Sequence, residues 1–415
     1  MSPGTRSLAA LLASVLALPI GAVGQTLEFD GRAGASAALP YLPGPFIPVP
    51  PAARPPRAAP AVPTVRFKGQ TFKAVQFSRS ERIPETIVAA LDATQRTALL
   101  ALYELKLPAA ADAIIRAKRR GVDVRVVFDH GHAGVPAGGP VPESGRSPDL
   151  QRVLDAGVEV RVLKGRSSYG IMHHKTAVLD GELLIAGSFN WTTAADERNF
   201  ENLHLRDDPG VVALFAENWR WMWKAAKPLA AAEDVGAAAA PQPPPGDATR
   251  PVSFNGGSYP RAAFSPMGGI EPLLLDAIGR ARRSIDVAIF SFYSMNVAQA
   301  LVEAKARGVR VRVAADIGQA RRSEAVRVLR DGRVELRLSG GRAEGFSVMH
   351  HKYMVLDETF FIGGSYNYSI NAEQNNHENV LFSTDGGEAA AFSGEQAFVF
   401  KHARAPTDAD LPPLQ

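Results

Sequence analysis

Met172 to Asn190 reads MHHKTAVLDGELLIAGSFN, and Met349 to Asn367 reads MHHKYMVLDETFFIGGSYN. The second stretch repeats the first at a constant separation of 177 residues. His173 thus corresponds to His350, Lys175 to Lys352, Asp180 to Asp357, Gly187 to Gly364, Ser188 to Ser365 and Asn190 to Asn367. The register continues through Asn199, Glu201 and Asn202 to Asn376, Glu378 and Asn379. Six fixed polar or glycine positions at one spacing arise by chance on the order of once in 10⁸ starting points, taking about 5% per residue type. The chain has duplicated itself.

Working outward, the first copy reads as strand, turn at Asp180-Gly181, and strand. Alternation puts His173 and Lys175 on one side and His174 on the other, and lets Ser188 and Asn190 share a face. Upstream, Ile83–Ala93 predicts a helix, Thr97–Leu107 a strand and Ala109–Arg120 a helix stopped by Gly121. Val122–Asp129 predicts a buried strand ending on an acid, Pro148–Ala156 a helix and Val158–Leu163 another strand. The second half follows the same plan at an offset of 187, which pairs Thr97–Lys106 with Ser284–Tyr293 and Asp129 with Asp316. At the motif the offset falls to 177, so the first half carries ten extra residues in the loop His130–Ser147. Its glycine and proline predict a mobile surface loop, and its place beside the motif suggests a lid.

Strands alternating with helices predict an α/β sandwich with a mixed or largely parallel sheet covered on both faces. Two such tandem domains, 64–224 and 252–404, are expected to pack as a pseudo-twofold fused dimer within a monomer. An Ala/Pro linker, 225–251, joins them, and 405–415 forms a tail.

Composition limits the chemistry. With 46 basic and 42 acidic residues the net charge is +4, which permits a nucleic-acid partner without arguing for one. No cysteine is present, so disulfides, thiolate catalysis and cysteine-ligated metals are excluded. Residues 1–24 read as an export signal: Arg6 is the one charge, Leu8 to Leu18 is apolar, and Ala22-Val23-Gly24 offers small residues for cleavage. A retained anchor is the alternative, although the apolar run is short for a membrane span. Cleavage would leave the protein secreted or periplasmic. Residues 25–63, rich in alanine and proline, predict an extended spacer.

One His, one Lys, one Ser and one Asn converging from each copy suit a phosphate, whose transfer is catalysed mainly by positioning and charge neutralisation. No acid in the motif is placed for a divalent cation. Metal-free cleavage of a phosphodiester needs a nucleophile and a proton donor on opposite sides of phosphorus. His173 and His350 can fill those roles if the halves meet at their motifs. Glu201 and Glu378, in NFEN and NHEN, are the expected acceptors for the far imidazole nitrogens. Asp180 and Asp357 complete the catalytic set as structural or electrostatic supports.

The pattern H-x-K-x₄-D-x₆-G-S-x-N, present twice, resembles the signature of the phospholipase D superfamily, and the similarity extends over both halves. That resemblance implies two α/β halves sharing one metal-independent, cofactor-free site. It implies His173 as nucleophile and His350 as acid and base. Lys175, Asn190, Lys352 and Asn367 would grip the phosphate, with Ser188 and Ser365 assisting. The family spans several substrates. An exported hydrolase of phospholipid head groups, acting at a membrane surface, is the first expectation. A secreted nonspecific endonuclease is the second, and a cardiolipin synthase-like phosphatidyl transferase the third.

Other residues draw simpler readings. His174 and His351 diverge from their neighbours and lack a third ligand, which argues against zinc. His130 and His132 read as solvent-exposed loop residues, Trp219, Trp221 and Trp223 as packing residues of a closing helix, and Arg307, Arg310 and Arg312 as a solvated face.

Overall fold

Apolar residues at helical spacing fix the first helix. In Ile83–Ala93, the residues Ile83, Ile87, Ala90 and Leu91 recur on one stripe, and all four are buried. Each fully buried aliphatic side chain of this kind contributes about 1.5–3 kcal/mol. Pro108 opens the next helix, Pro108–Arg119, and Ser147 caps Pro148–Asp155 by accepting from the Leu150 N–H at 3.1 Å. The computed structural model describes residues 60–134, 146–167, 169–229 and 243–411.

Between these helices run short β-branched strands buried on both faces. The first sheet has eight strands, ordered Lys227–Pro228, Glu159–Leu163, Asp123–Asp129, Thr97–Leu102, Lys175–Leu179, Leu183–Gly187, Asn202–Arg206 and Val75–Phe77. The second has seven, ordered Ala262–Ser265, Glu378–Ser383, Phe360–Gly364, Lys352–Leu356, Ser284–Ile289, Arg310–Asp316 and Glu335–Ser339. Three adjacent strands are parallel in each sheet and the remainder antiparallel, so the fold is mixed α/β. Lys175 pairs with Leu102 and Lys352 with Ile289, so each motif strand begins where the parallel strands end.

Three layers of core follow. Helices Ile83–Ala93, Pro108–Arg119 and Pro148–Asp155 pack one face of the first sheet, and their counterparts pack the second. A shared core lies between the halves, where Val75, Phe77 and Val178 meet Phe264, Tyr353 and Phe392. The long helices Pro209–Ala225 and Gly386–His402 each cover their own sheet and reach the edge strand of the other half. Both repeats accordingly belong to one compact unit, Ala58–Gln415.

Several expectations are adjusted. The strand from Thr97 ends at Leu102, because Tyr103 turns out toward the motif, and Leu105–Lys106 pairs separately with Trp191–Thr192. Arg312 is no solvated charge: its guanidinium forks the buried Asp286 at 2.8 and 3.0 Å. Trp219 is buried and donates to the Leu100 carbonyl at 2.7 Å, while Trp223 stacks on it at 4.9 Å, as packing residues do. The export segment 1–24, the spacer up to residue 59, the middle of the lid loop (135–145), linker residues 230–242 and tail residues 412–415 lie outside the described residues. Among the described residues no helix is long and apolar enough to cross a membrane.

Candidate active site

The motif strands begin only at Lys175 and Lys352, so the residues just before them leave their own sheet and pair with the other half. Met172 forms a parallel bridge with His377, and Phe200 forms one with Met349. The His173 N–H donates to the His377 carbonyl at 2.9 Å, and the His350 N–H to the Phe200 carbonyl at 3.0 Å. Asp129 and Asp316, at the ends of their strands, accept from the Met172 and Met349 N–H groups at 2.9 and 3.1 Å. The motif of one half is thus stitched to the NxEN segment of the other.

This stitching crosses the histidine–glutamate pairs. His173 Nδ1 lies 2.8 Å from Glu378, and His350 Nδ1 lies 2.8 and 3.0 Å from the two oxygens of Glu201. Nδ1–H donation to a carboxylate leaves Nε2 of each ring with its lone pair available. Both glutamates are fully buried and further tied down. Glu201 accepts from Ser188 Oγ at 2.6 Å and Asn199 Nδ2 at 3.3 Å, and Glu378 from Ser365 Oγ at 2.7 Å and Asn376 Nδ2 at 3.0 Å. The glutamates were legible in the sequence as acceptors; that each serves the opposite half was not.

Lys175 Nζ donates to the His173 carbonyl at 2.7 Å, and Lys352 Nζ to the His350 carbonyl at 2.6 Å. An ammonium has three N–H donors, so each lysine keeps two for a ligand. Tyr103 and Phe290 line the same space. Their rings lie 4.8 and 4.7 Å from the imidazoles of His173 and His350, and 4.8 and 4.9 Å from the two ammonium groups. These aromatics were missed, although their shared offset of 187 marks them in the sequence. Asn190 and Asn367 sit half-buried, and each carries an Nδ2 amide that can donate to an anion.

Three expectations are corrected. Asp180 and Asp357 are not at the site: they occupy the far ends of the motif strands, on the order of 20 Å along an extended chain from the histidines. Each takes a positive-φ turn position that aspartate tolerates, at φ 54° and 51°. Asp180 accepts the backbone N–H groups of Gln95, Arg96 and Thr97 at 3.0, 2.7 and 2.9 Å, and Asp357 does the same for Arg282, Arg283 and Ser284. Ser188 and Ser365 do not touch a phosphate either, because both are fully buried and spend their hydroxyls on the glutamates. Gly187 and Gly364 precede them because an added Cβ would lie 2.4 and 2.3 Å from the Asn202 and Asn379 carbonyl oxygens. Finally, His130 is buried, and His132 is bonded to Asp129 at 3.1 Å and packed 4.1 Å from the Tyr103 ring, so neither is a free loop residue. His174 and His351 do diverge, and bond Asn379 and Asn202 across the halves at 3.0 and 2.9 Å.

Burial pushes the Asp180 carboxyl up, but the three backbone N–H bonds and Lys68 outweigh it and hold it below the usual range. A depressed carboxylate stabilises the fold above its unfolded value near pH 4, and that contribution is lost as pH falls through the folded one. Asp180→Asn is therefore expected to lose about 1–3 kcal/mol of stability at pH 7 while kcat changes little, as denaturant melts beside a turnover assay would read.

Electrostatics join the two motifs. Burial holds His173 well below the ordinary imidazole value, reinforced by the nearby charges of Lys175, Lys352 and His350. Burial likewise pushes His350 down to about 4 against the pull of Glu201. Burial lowers both Lys175 and Lys352 to about 7, although Glu378 and Glu201 oppose it. It lifts Glu378 to about 7, whereas Glu201 is held below the carboxylate range because His350 and Lys352 outweigh burial. The glutamate must be ionised to fix its imidazole, and the lysines must be charged to grip an anion. The sign is opposite for the two limbs, so kcat/KM should rise with pH as Glu378 ionises and fall beyond about 7 as the lysines discharge. A profile that stays flat from acid to alkaline pH would remove this account.

A duplicated mixed sheet with two crossed histidine–glutamate pairs and two buried lysines in one site places the chain in the class of paired His–Lys motif proteins. The family described as "Cardiolipin synthase, PLD-like domain" matches residues 87–223 and again 274–397. The chain belongs to the phospholipase D superfamily. Mitochondrial cardiolipin hydrolase of Xenopus laevis is 32% identical over 130 residues, covering 31% of this chain and 56% of that protein. Phospholipase D of Rickettsia felis is 28% identical over 130 residues, covering 31% and 58%. The chain thus spans about half the length of the curated relatives it matches. Phosphatidylserine synthase of Haemophilus influenzae Rd KW20 shares the fold over 80% of this chain and 87% of its own, with a TM-score of 0.57 and 13% identity.

Proposed function

We propose that the protein is a metal-independent phosphodiesterase of the phospholipase D type that hydrolyses the head-group ester of a phospholipid. The observation that carries this reading is the crossed pairing of His173 with Glu378 and His350 with Glu201 beside two lysines. His173 Nε2 attacks phosphorus, and the bond to the head-group oxygen breaks as His350 gives that oxygen its proton. The phosphatidyl group is then held on His173. His350 next takes a proton from water, whose oxygen displaces His173 and leaves phosphatidic acid. Both oxygens of Glu201 support a protonated His350 ring, which favours His350 as the acid. An arriving phosphodiester anion adds negative charge that helps that ring take up its proton. Lys175, Lys352, Asn190 and Asn367 hold the non-bridging oxygens.

Among the described residues no three His, Asp or Glu side chains gather in a metal-holding group. The names of the matched relatives support a lipid substrate over nucleic acid, and residues 1–24 support action outside the cytoplasm. The test assays purified protein on phosphatidylcholine vesicles and on plasmid DNA, each with chelator. Head-group release in chelator is expected. Nicked plasmid without head-group release would transfer the site to an endonuclease, and products seen only without chelator would end the metal-free mechanism.

A further inference from the structure

Seven large apolar side chains are exposed among the described residues: Val62, Tyr169, Met267, Tyr293, Met295, Phe346 and Ile370. Six of them lie at the catalytic end. Tyr169 and Phe346 stand in the segments between a parallel strand and a motif strand, each four residues before its catalytic histidine. Tyr293 and Met295 follow Ile289, Ile370 follows Gly364, and Met267 follows Ser265; those strands end opposite Lys352, Val380 and Glu378. Tyr169 and Phe346 are also repeat partners, and they are 82% and 87% exposed.

These two rings are presented on fastened backbone. Asn371 Nδ2, from the second half, donates to the Tyr169 carbonyl at 3.3 Å, and Arg198 Nε, from the first, donates to the Phe346 carbonyl at 2.9 Å. Asn371 also brings its neighbour Ile370, 64% exposed, beside Tyr169. Three cations share the rim. Arg166 is exposed, Arg198 bonds the Phe346 and Glu344 carbonyls, and Arg342 bonds the Asn199 and Asp196 carbonyls. Arg342 feels the nearby carboxylates of Asp196, Glu395 and Glu201, so Arg166 and Arg198 carry most of the open positive charge; Glu344 is the exposed acid in the same segment.

Apolar side chains held out on fastened backbone around a site, with arginines beside them, fit an interface that is apolar below and anionic at its surface. We propose that this rim is a lipid-docking surface for an anionic bilayer. Tyr169, Phe346 and Ile370 enter the head-group boundary, Arg166, Arg198 and Arg342 meet lipid phosphates, and the cleft opens onto its substrate. The proposal rests on the phospholipid reading for its purpose. Ile370, Met267 and Met295 separate it from a nucleic-acid surface, because aliphatic and thioether chains offer no ring on which a base can stack.

The test uses the full chain carrying His173→Ala, so binding is read without turnover. Vesicles of phosphatidylcholine mixed with phosphatidylglycerol are expected to capture it. Adding Tyr169→Ser and Phe346→Ser together should cut the partition about tenfold or more. Phe346→Trp, made separately, should give added fluorescence that shifts to the blue on vesicles. Failure of the parent to partition, equal partition by the double variant, or no shift overturns the proposal. So does a double variant that loses plasmid binding or self-association but keeps vesicle binding. Partition without head-group release by the wild type sinks lipid hydrolysis alone, and hydrolysis of dispersed short-chain lipid without partition sinks docking alone.

Discussion

Replacing His173 by alanine is expected to lower turnover by about 10⁶-fold, with the fold retained, because the proposed mechanism then loses its nucleophile and keeps only binding and charge neutralisation. His350→Ala should be as damaging on a natural substrate but should fail differently. With a nitrophenyl phosphodiester, whose leaving group needs no proton, His350→Ala can still load His173 and release one equivalent of nitrophenol before stalling. His173→Ala gives no burst. Rapid-mixing measurements would read both, and a burst from His173→Ala rather than His350→Ala would reverse the assigned roles. Substantial steady turnover by either variant would mean that the two motifs do not share one reaction.

The second large effect crosses the halves. Glu378→Gln keeps a carbonyl oxygen for His173 Nδ1–H but removes the charge, and such outer partners typically cost 10- to 100-fold when altered. The loss should fall on the burst phase, which His173 controls, although Glu378 lies in the same half as His350. Glu201→Gln should instead slow the steady phase that follows. Because Glu378 sets the acid limb of kcat/KM, Glu378→Gln should also flatten that limb while leaving the alkaline fall in place. An uncrossed pattern, with each glutamate affecting its own half, would contradict the geometry.

The sequence carried the duplication, the α/β alternation and the identities of both histidines, lysines and glutamates, because each is written as local residue type and spacing. The crossed pairing was beyond it: the bridge between Met172 and His377 joins residues with no shared periodicity. Asp180 and Asp357 are the structural supports expected, and they were counted in the catalytic set for a related reason. Invariance between two copies looks the same whether a carboxylate serves chemistry or, as here, three backbone N–H groups at a turn. Ser188 and Ser365 lie on the predicted face, yet the close approach at Gly187 and Gly364 buries them against a glutamate. Tyr103 and Phe290 were visible only as a matched aromatic pair, a pattern that packing alone can produce.

A chain leaving the ribosome presents His173 long before Glu378 has been polymerised. For that interval the first motif has neither its anchoring carboxylate nor the carbonyl of His377 that receives its amide. Any product cut short by a premature stop before the second NxEN segment would be inert rather than half-active. Carrying both copies on one polypeptide also fixes their ratio at one to one, and frees the two flanks to drift apart, as Phe200 and His377 already have.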